Sequence, residues 1–131
     1  MKRIAALIVL AASLNATASA WSQSQEHMRF DAGNDNAYAE GVVRGAEYRD
    51  YILGARSGQE MYVSLSTQGS AYFNILPPGS TGEAIYNSSL SGNDGGVTLP
   101  ASGDYRVRVY LMGADRSEAR RIGYTLSVGI N

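Results

Sequence analysis

The chain has 131 residues, with 11 Lys+Arg against 12 Asp+Glu, 15 Gly, 9 Tyr and no Cys. The absence of Cys excludes a disulfide framework, a thiol nucleophile and a Cys-bound metal. A near-neutral chain with scattered Arg also lacks the basic stripe that a nucleic-acid binder needs.

The chain opens with Lys2-Arg3, an apolar run from Ile4 to Ala12, Leu14, and then Ala18-Ser19-Ala20. A charged start, a short apolar stretch and small residues at A-x-A spacing read as a secretory signal peptide over residues 1–20. The apolar stretch is about half of what a bilayer span requires. The residue after the cut is Trp21 rather than Cys, so the expected product is exported, soluble and without a membrane anchor. Nine of the eleven basic residues remain in it, all Arg, against all twelve acidic ones, for a charge of about −3. That sign suits a cationic partner, chiefly by speeding encounter.

Residues 21–26 (W-S-Q-S-Q-E) are polar and unpatterned and read as a flexible leader; residues 27–131 read as one domain. The strongest periodicity in it is two, the signature of half-buried strands. Met61, Val63 and Leu65 make one apolar face, as do Tyr105, Val107, Val109 and Leu111, and again Tyr124, Leu126, Val128 and Ile130. Weaker strands are predicted at 27–30, 37–43, 48–55, 71–76 and 84–86. Turn chemistry separates them at residues 33–36, 56–59, 77–80, 92–96 and 100–103, where Gly, Pro, Asn, Asp and Ser cluster. This spacing predicts an all-β fold: a single antiparallel β-sandwich of about eight strands. Only residues 113–121 break the alternation. Asp115 followed by Glu118 forms a potential capping box, which predicts a short helical turn near residues 115–120.

Catalytic chemistry is thin. The only His is His27, too few for a His-based metal site, and no H-E-x-x-H, G-x-S-x-G or P-loop occurs. The Asn/Asp loops at 31–36 and 92–94 lack the register of a calcium loop and match what tight turns require. No cofactor or metal is expected. On these grounds the domain is an exported β-sandwich that binds a partner, with carboxylate chemistry hidden in the turns as a weaker option.

Two stretches carry a family resemblance. Gly41–Leu65 (G-V-V-R-G-A-E-Y-R-D-Y-I-L-G-A-R-S-G-Q-E-M-Y-V-S-L) resembles the β-sandwich of bacterial pre-peptidase C-terminal domains. Leu99–Val128 adds L-P-A-S-G-D-Y, then V-Y-L-M, an Ala/Arg-rich segment and a final Y-T-L strand. That order resembles the periplasmic inhibitors of invertebrate-type and goose-type lysozymes. The resemblance implies a periplasmic, non-catalytic protein whose S-G-x-Y loop enters a lysozyme's substrate cleft. The partner-binding residues it implies are Ser102, Gly103 and Tyr105, with Arg116 and Arg120 from the basic segment. Ser102 would donate to a cleft carboxylate, and Gly103 would let the backbone approach closely. Arg116 and Arg120, four residues apart, would share one helical face. Tyr105 also falls on the apolar face of its strand, so its side chain is assigned either to the partner or to the core. The alternative function is a non-catalytic sandwich module that binds a glycan or a cell-envelope component. Open edge strands leave homodimerisation open as well.

Overall fold

Alternation at period two turns one side of each strand toward a shared interior, and two sheets close over it. The computed structural model describes residues 23–30 and 35–131. The expected signal peptide lies outside them, as do Trp21, Ser22 and residues 31–34. The described strands are β1 (Gln23–His27), β2 (Asn36–Arg44), β3 (Tyr48–Ala55), β4 (Glu60–Thr67), β5 (Ala71–Leu76), β6 (Tyr86–Asn87), β7 (Asp94–Thr98), β8 (Gly103–Leu111) and β9 (Arg121–Ile130). Two short helices join them, α1 (Ser88–Ser91) and α2 (Gly113–Ser117). One sheet has the order β1-β3-β8-β5-β6 and the other β2-β9-β4-β7. The expected sandwich is therefore present, with nine strands among the described residues.

The interior is built from the faces that the alternation marks. Tyr105, Val107, Val109 and Leu111 of β8 and Leu126 and Val128 of β9 are fully buried, together with Tyr51, Met61, Phe73 and Ile75. Between the sheets the Tyr51 and Tyr124 hydroxyls meet at 2.7 Å, so neither phenol is buried without a partner. Gly41 on β2 makes room for this pair. A Cβ there would lie 2.5 Å from the Tyr124 hydroxyl oxygen and 2.9 Å from Arg49 Nη1.

The outward side of β8 carries Arg106 and Arg108. Arg108 forks onto Asp50 of β3, at 2.8 and 3.0 Å, and lies 4.0 Å above the Tyr48 ring. Asp50 is thereby only 1% exposed without being an unpaired buried charge.

Three local expectations are corrected. The leader is shorter than residues 21–26, because Gln23–Glu26 belong to β1, which runs parallel to β3 with Gln23 opposite Tyr48 and His27 opposite Ile52. An edge strand is held by backbone bonds and needs no apolar face. Asp94–Gly96, expected as turn, belong to β7 and pair with Ser64, Val63 and Tyr62 of β4. Gly95 and Gly96 are there because the Tyr86 hydroxyl and the Tyr62 ring occupy the space of a Cβ. Finally, the helical turn lies at Gly113–Ser117, ahead of the expected 115–120, and its N-cap is Met112 rather than Asp115. The capping box does not form because the Asp115 carboxylate instead accepts from the Ser70 backbone N–H at 2.7 Å.

Strand register fixes the two ends of the sandwich. Gly103 lies opposite Ala55 at one end of β8, and Leu111 lies opposite Ala71 at the other. The first end carries the β3–β4 turn, the approach to β8 and the loop after β5. The second carries α2 and the β2–β3 and β4–β5 turns.

Candidate functional site

At the first end, two turns far apart in sequence are locked together. Leu99 is buried and anchors the approach to β8. Its N–H donates to the Gln59 carbonyl and its own carbonyl accepts from Gly58 N–H, both at 2.8 Å. Ser57 adds two bonds: its N–H donates to Ser102 Oγ at 2.9 Å, and its hydroxyl donates to the Pro100 carbonyl at 3.3 Å. The result is one rigid tip made from residues 56–59 and 99–103.

Within the tip, Ser102 and Gly103 are exposed. Ser102 Oγ accepts from one backbone N–H, which orients the hydroxyl and leaves its proton, with one lone pair, for an outside partner. Among the described residues no acceptor takes it. Gly103 is required on two counts. Its φ of 144° lies in the region that favours glycine, and a Cβ would sit 3.0 Å from Pro78 Cγ. The close Pro78 contact braces the tip against the loop after β5. Arg106 braces the same loop by donating to the Ser80 carbonyl.

Tyr105 is corrected from partner contact to core residue. It is fully buried, on the face that its period-two position marks. Its hydroxyl donates to the Ala101 carbonyl at 2.5 Å and accepts from Ala101 N–H at 3.1 Å. Tyr105 thus staples the loop that presents Ser102, and acts through that loop.

Arg116 and Arg120 are not brought to Ser102. They lie beyond the opposite end of β8, whose eight residue steps span about 27 Å at ~3.4 Å each. Ser102 and the two arginines therefore stand at opposite ends of the sandwich. Their shared helical face is also lost, because α2 ends at Ser117 and Ala119 takes a positive φ of 55°. Arg116 is exposed. Arg120 pairs with Asp115 at 3.1 Å and Glu118 at 2.7 Å. The Ser70 N–H, and then Arg120, hold the Asp115 carboxyl below its ordinary value. This corner is a structural clasp.

Sequence reasoning missed Ser57, whose backbone N–H fixes the Ser102 hydroxyl. A signal was present: Ser57-Gly58 and Ser102-Gly103 are matching Ser-Gly turns, each beside a core strand. As to metals, no group of three or more His, Cys, Asp or Glu side chains that could hold an ion occurs among the described residues. His27 is an exposed strand-end residue. In the 92–94 loop, Asn93 donates to the Ala71 carbonyl and Asp94 accepts from Ser64, so both serve the fold.

No family model matches the chain. Individual relatives do. It is 29% identical over 133 residues to an inhibitor of g-type lysozyme from Escherichia coli (strain K12), covering 99% of this chain and 98% of that one. Its fold matches the crystal structure of Aeromonas hydrophila PliG, a periplasmic inhibitor of g-type lysozyme, with a TM-score of 0.79 and 29% identity. That match covers 84% of this chain and 98% of the other. Salmonella Typhimurium PliG, likewise a periplasmic inhibitor of g-type lysozyme, gives 0.70 and 31% over 82% of this chain and 98% of its own. The pre-peptidase C-terminal domain of a Bacillus anthracis collagenase matches in fold alone, at 0.56 and 14%, covering 81% of this chain and 93% of that domain. The sandwich is thus similar in fold to a pre-peptidase C-terminal domain, and the inhibitor relatives are named as inhibitors and not as enzymes. With 31% identity across nearly the whole of a PliG chain, this protein belongs to the family of periplasmic inhibitors of g-type lysozyme.

Proposed function

We propose that this protein inhibits a g-type lysozyme by seating the Ser102–Gly103 tip in the enzyme's substrate cleft. The observation that carries the reading is the bond from Ser57 N–H to Ser102 Oγ. It orients the serine oxygen and leaves the hydroxyl proton to donate outward. A glycosidase cleft is lined by catalytic carboxylates, which are strong acceptors for such a proton. Gly103 lets the tip approach the cleft floor, and Tyr105 holds it rigid. A tip without a glycosidic bond occupies the cleft and is not turned over. Tip rigidity matters because a preformed loop loses little conformational entropy on docking. Export through residues 1–20, with cleavage before Trp21, belongs to the same proposal.

The test is lysis of a peptidoglycan suspension by goose-type, invertebrate-type and chicken-type lysozymes, with the purified mature protein titrated into each. Inhibition of the goose-type enzyme, saturating near one to one, is expected. A hydrogen bond to a charged group is worth about 1.5–3 kcal/mol. Ser102→Ala should therefore weaken inhibition roughly ten- to hundredfold while the protein stays folded. Full inhibition by Ser102→Ala would remove the Ser102 tip from the mechanism.

A further inference from the structure

We infer that the outer face of the β2-β9-β4-β7 sheet is a further binding site, and that its ligand is the uncharged sugar backbone of peptidoglycan. The site does not depend on the seating of the Ser102 tip. Register sets the outward side chains in two neighbouring rows. One row is Asn36, Gly129, Tyr62 and Gly96; the next is Tyr38, Ser127, Ser64 and Asp94. Tyr38 is 74% exposed and Tyr62 52%, and large apolar surface left open on one face marks a contact site. The two tyrosines stand two strands and one row apart, on the order of 12 Å between Cα atoms, with Ser127 and Gly129 as the floor between them. Tyr62, Asn36, Ser64, Asp94, Ser127 and Gly129 line a hollow of about 210 Å³. Glycine sets the Tyr62 ring in place: a Cβ on Gly96 would come within 2.5 Å of the ring, so the ring settles against β7 while half of the side chain stays open.

The polar groups of the hollow are oriented too. Ser64 donates its hydroxyl to Asp94 Oδ1, which leaves the second carboxylate oxygen open. Asn36 Nδ2 donates to Asp35 at 2.9 Å, and its Oδ1 lies over Gly129, 2.7 Å from where a Cβ would stand. Among the described residues nothing bonds the Ser127 hydroxyl. A pyranose presents C–H groups on its faces and hydroxyls at its rim. An aromatic ring takes the first, and a carboxylate with amide and hydroxyl neighbours takes the second. Charge selects the occupant. The carboxylates on this face are Asp94, Glu60 and Glu40, with Asp35 at its corner. The arginines of the sheet, Arg44 and Arg121, face each other six residue steps beyond Tyr38, about 20 Å along β2. Arg56 lies in a neighbouring hollow, which it shares with Asp35. An anionic ligand is therefore repelled, whereas neutral hydroxyl and acetamide donors are accepted. The sugar backbone of peptidoglycan is uncharged, offers both, and lies in the periplasm, where the inhibitor relatives are placed. Bound there, the inhibitor is held on the polymer that a lysozyme attacks.

The experiment measures co-sedimentation of the full mature chain with purified peptidoglycan, and its displacement by chitotetraose, a soluble uncharged tetramer of N-acetylglucosamine. The variants are Tyr62→Ala, Asp94→Asn, Ser127→Leu and, on the outer face of the other sheet, Tyr72→Ala, each checked by thermal unfolding. Wild type should sediment with the polymer and be displaced by the tetramer, and the tetramer's affinity should be insensitive to salt because it carries no charge. Tyr62→Ala should weaken binding about three- to tenfold. Asp94→Asn keeps the bond from Ser64 and loses the charge, for a loss of about tenfold. Ser127→Leu fills the floor of the hollow and should abolish binding, while Tyr72→Ala should bind like wild type. Should Tyr62→Ala not fold, Asp94→Asn and Ser127→Leu decide alone. The inference is overturned if wild type does not sediment with peptidoglycan, if chitotetraose does not displace it, or if folded Ser127→Leu binds like wild type. A dimer in light scattering that Ser127→Leu breaks would overturn it as well, giving the face to a second copy of the chain.

Discussion

At the scale of single residues, Tyr105 carries the tightest link between packing and function. Its ring is a core side chain and its hydroxyl is a loop staple, so one residue joins the β8 interior to the presentation of Ser102. Tyr105→Phe keeps the ring and removes both bonds to Ala101. The expected cost is about 1–2 kcal/mol of folding stability, with inhibition weakened although the side chain never reaches the partner. Denaturant unfolding and an inhibition titration on one preparation check this; unchanged inhibition would mean that the loop holds its shape without the staple. In the sequence, parity with Val107, Val109 and Leu111 pointed Tyr105 to the core while the resemblance pointed it to the partner, and its full burial decides for the core. Parity fixes the face of a strand, whereas the reach of a hydroxyl back to Ala101 appears only once the loop has a shape.

At the scale of elements, legibility followed the apolar face. β4, β8 and β9 alternate strictly and were predictable because a one-residue slip would expose their whole apolar set. β1 and β7 have no such face. β1 is a polar edge strand held by its backbone, and β7 is glycine-rich because tyrosines lie over it. Neither signal is local. The α2 corner shows a related limit, since Asp115 had a local partner in the capping box and a distant one in Ser70, and the distant one won. Asp115 also sets a pH dependence. Its carboxyl titrates below its ordinary value of 3.8 in the fold, so the unfolded chain binds this proton first. The stabilisation is complete above the unfolded value and is lost as pH falls through it toward the folded one. Asp115→Asn, which cannot ionise, should therefore lose less of its unfolding temperature than wild type between about pH 5 and pH 3. Parallel curves for the two proteins would contradict the assignment.

At the scale of the whole molecule, strand register decides which predicted residues act together. Ser102 and Gly103 were legible as a turn with chemistry, but their distance from Arg116 and Arg120 depends on where β8 begins and ends. The partner turn at Arg56-Ser57 was hidden because it joins the tip across 45 residues of sequence, through β3–β8 pairing and the Leu99–Gly58 bond. The N-terminus is constrained at this scale too. β1 begins at Gln23, two residues past the expected cut, so cleavage before Trp21 spares the strand. Mass spectrometry of the periplasmic protein should give a chain starting at Trp21. A start after Glu26 would delete most of β1 and contradict it.

The central claim is that a lysozyme cleft is closed by the tip that Ser102 heads. Its most direct measurement is the inhibition constant of wild type and Ser102→Ala against goose-type lysozyme, both shown folded by thermal unfolding. Stoichiometric inhibition by wild type, weakened roughly ten- to hundredfold in Ser102→Ala, is the predicted result. Equal inhibition by the two proteins, or none by wild type in excess, would contradict it.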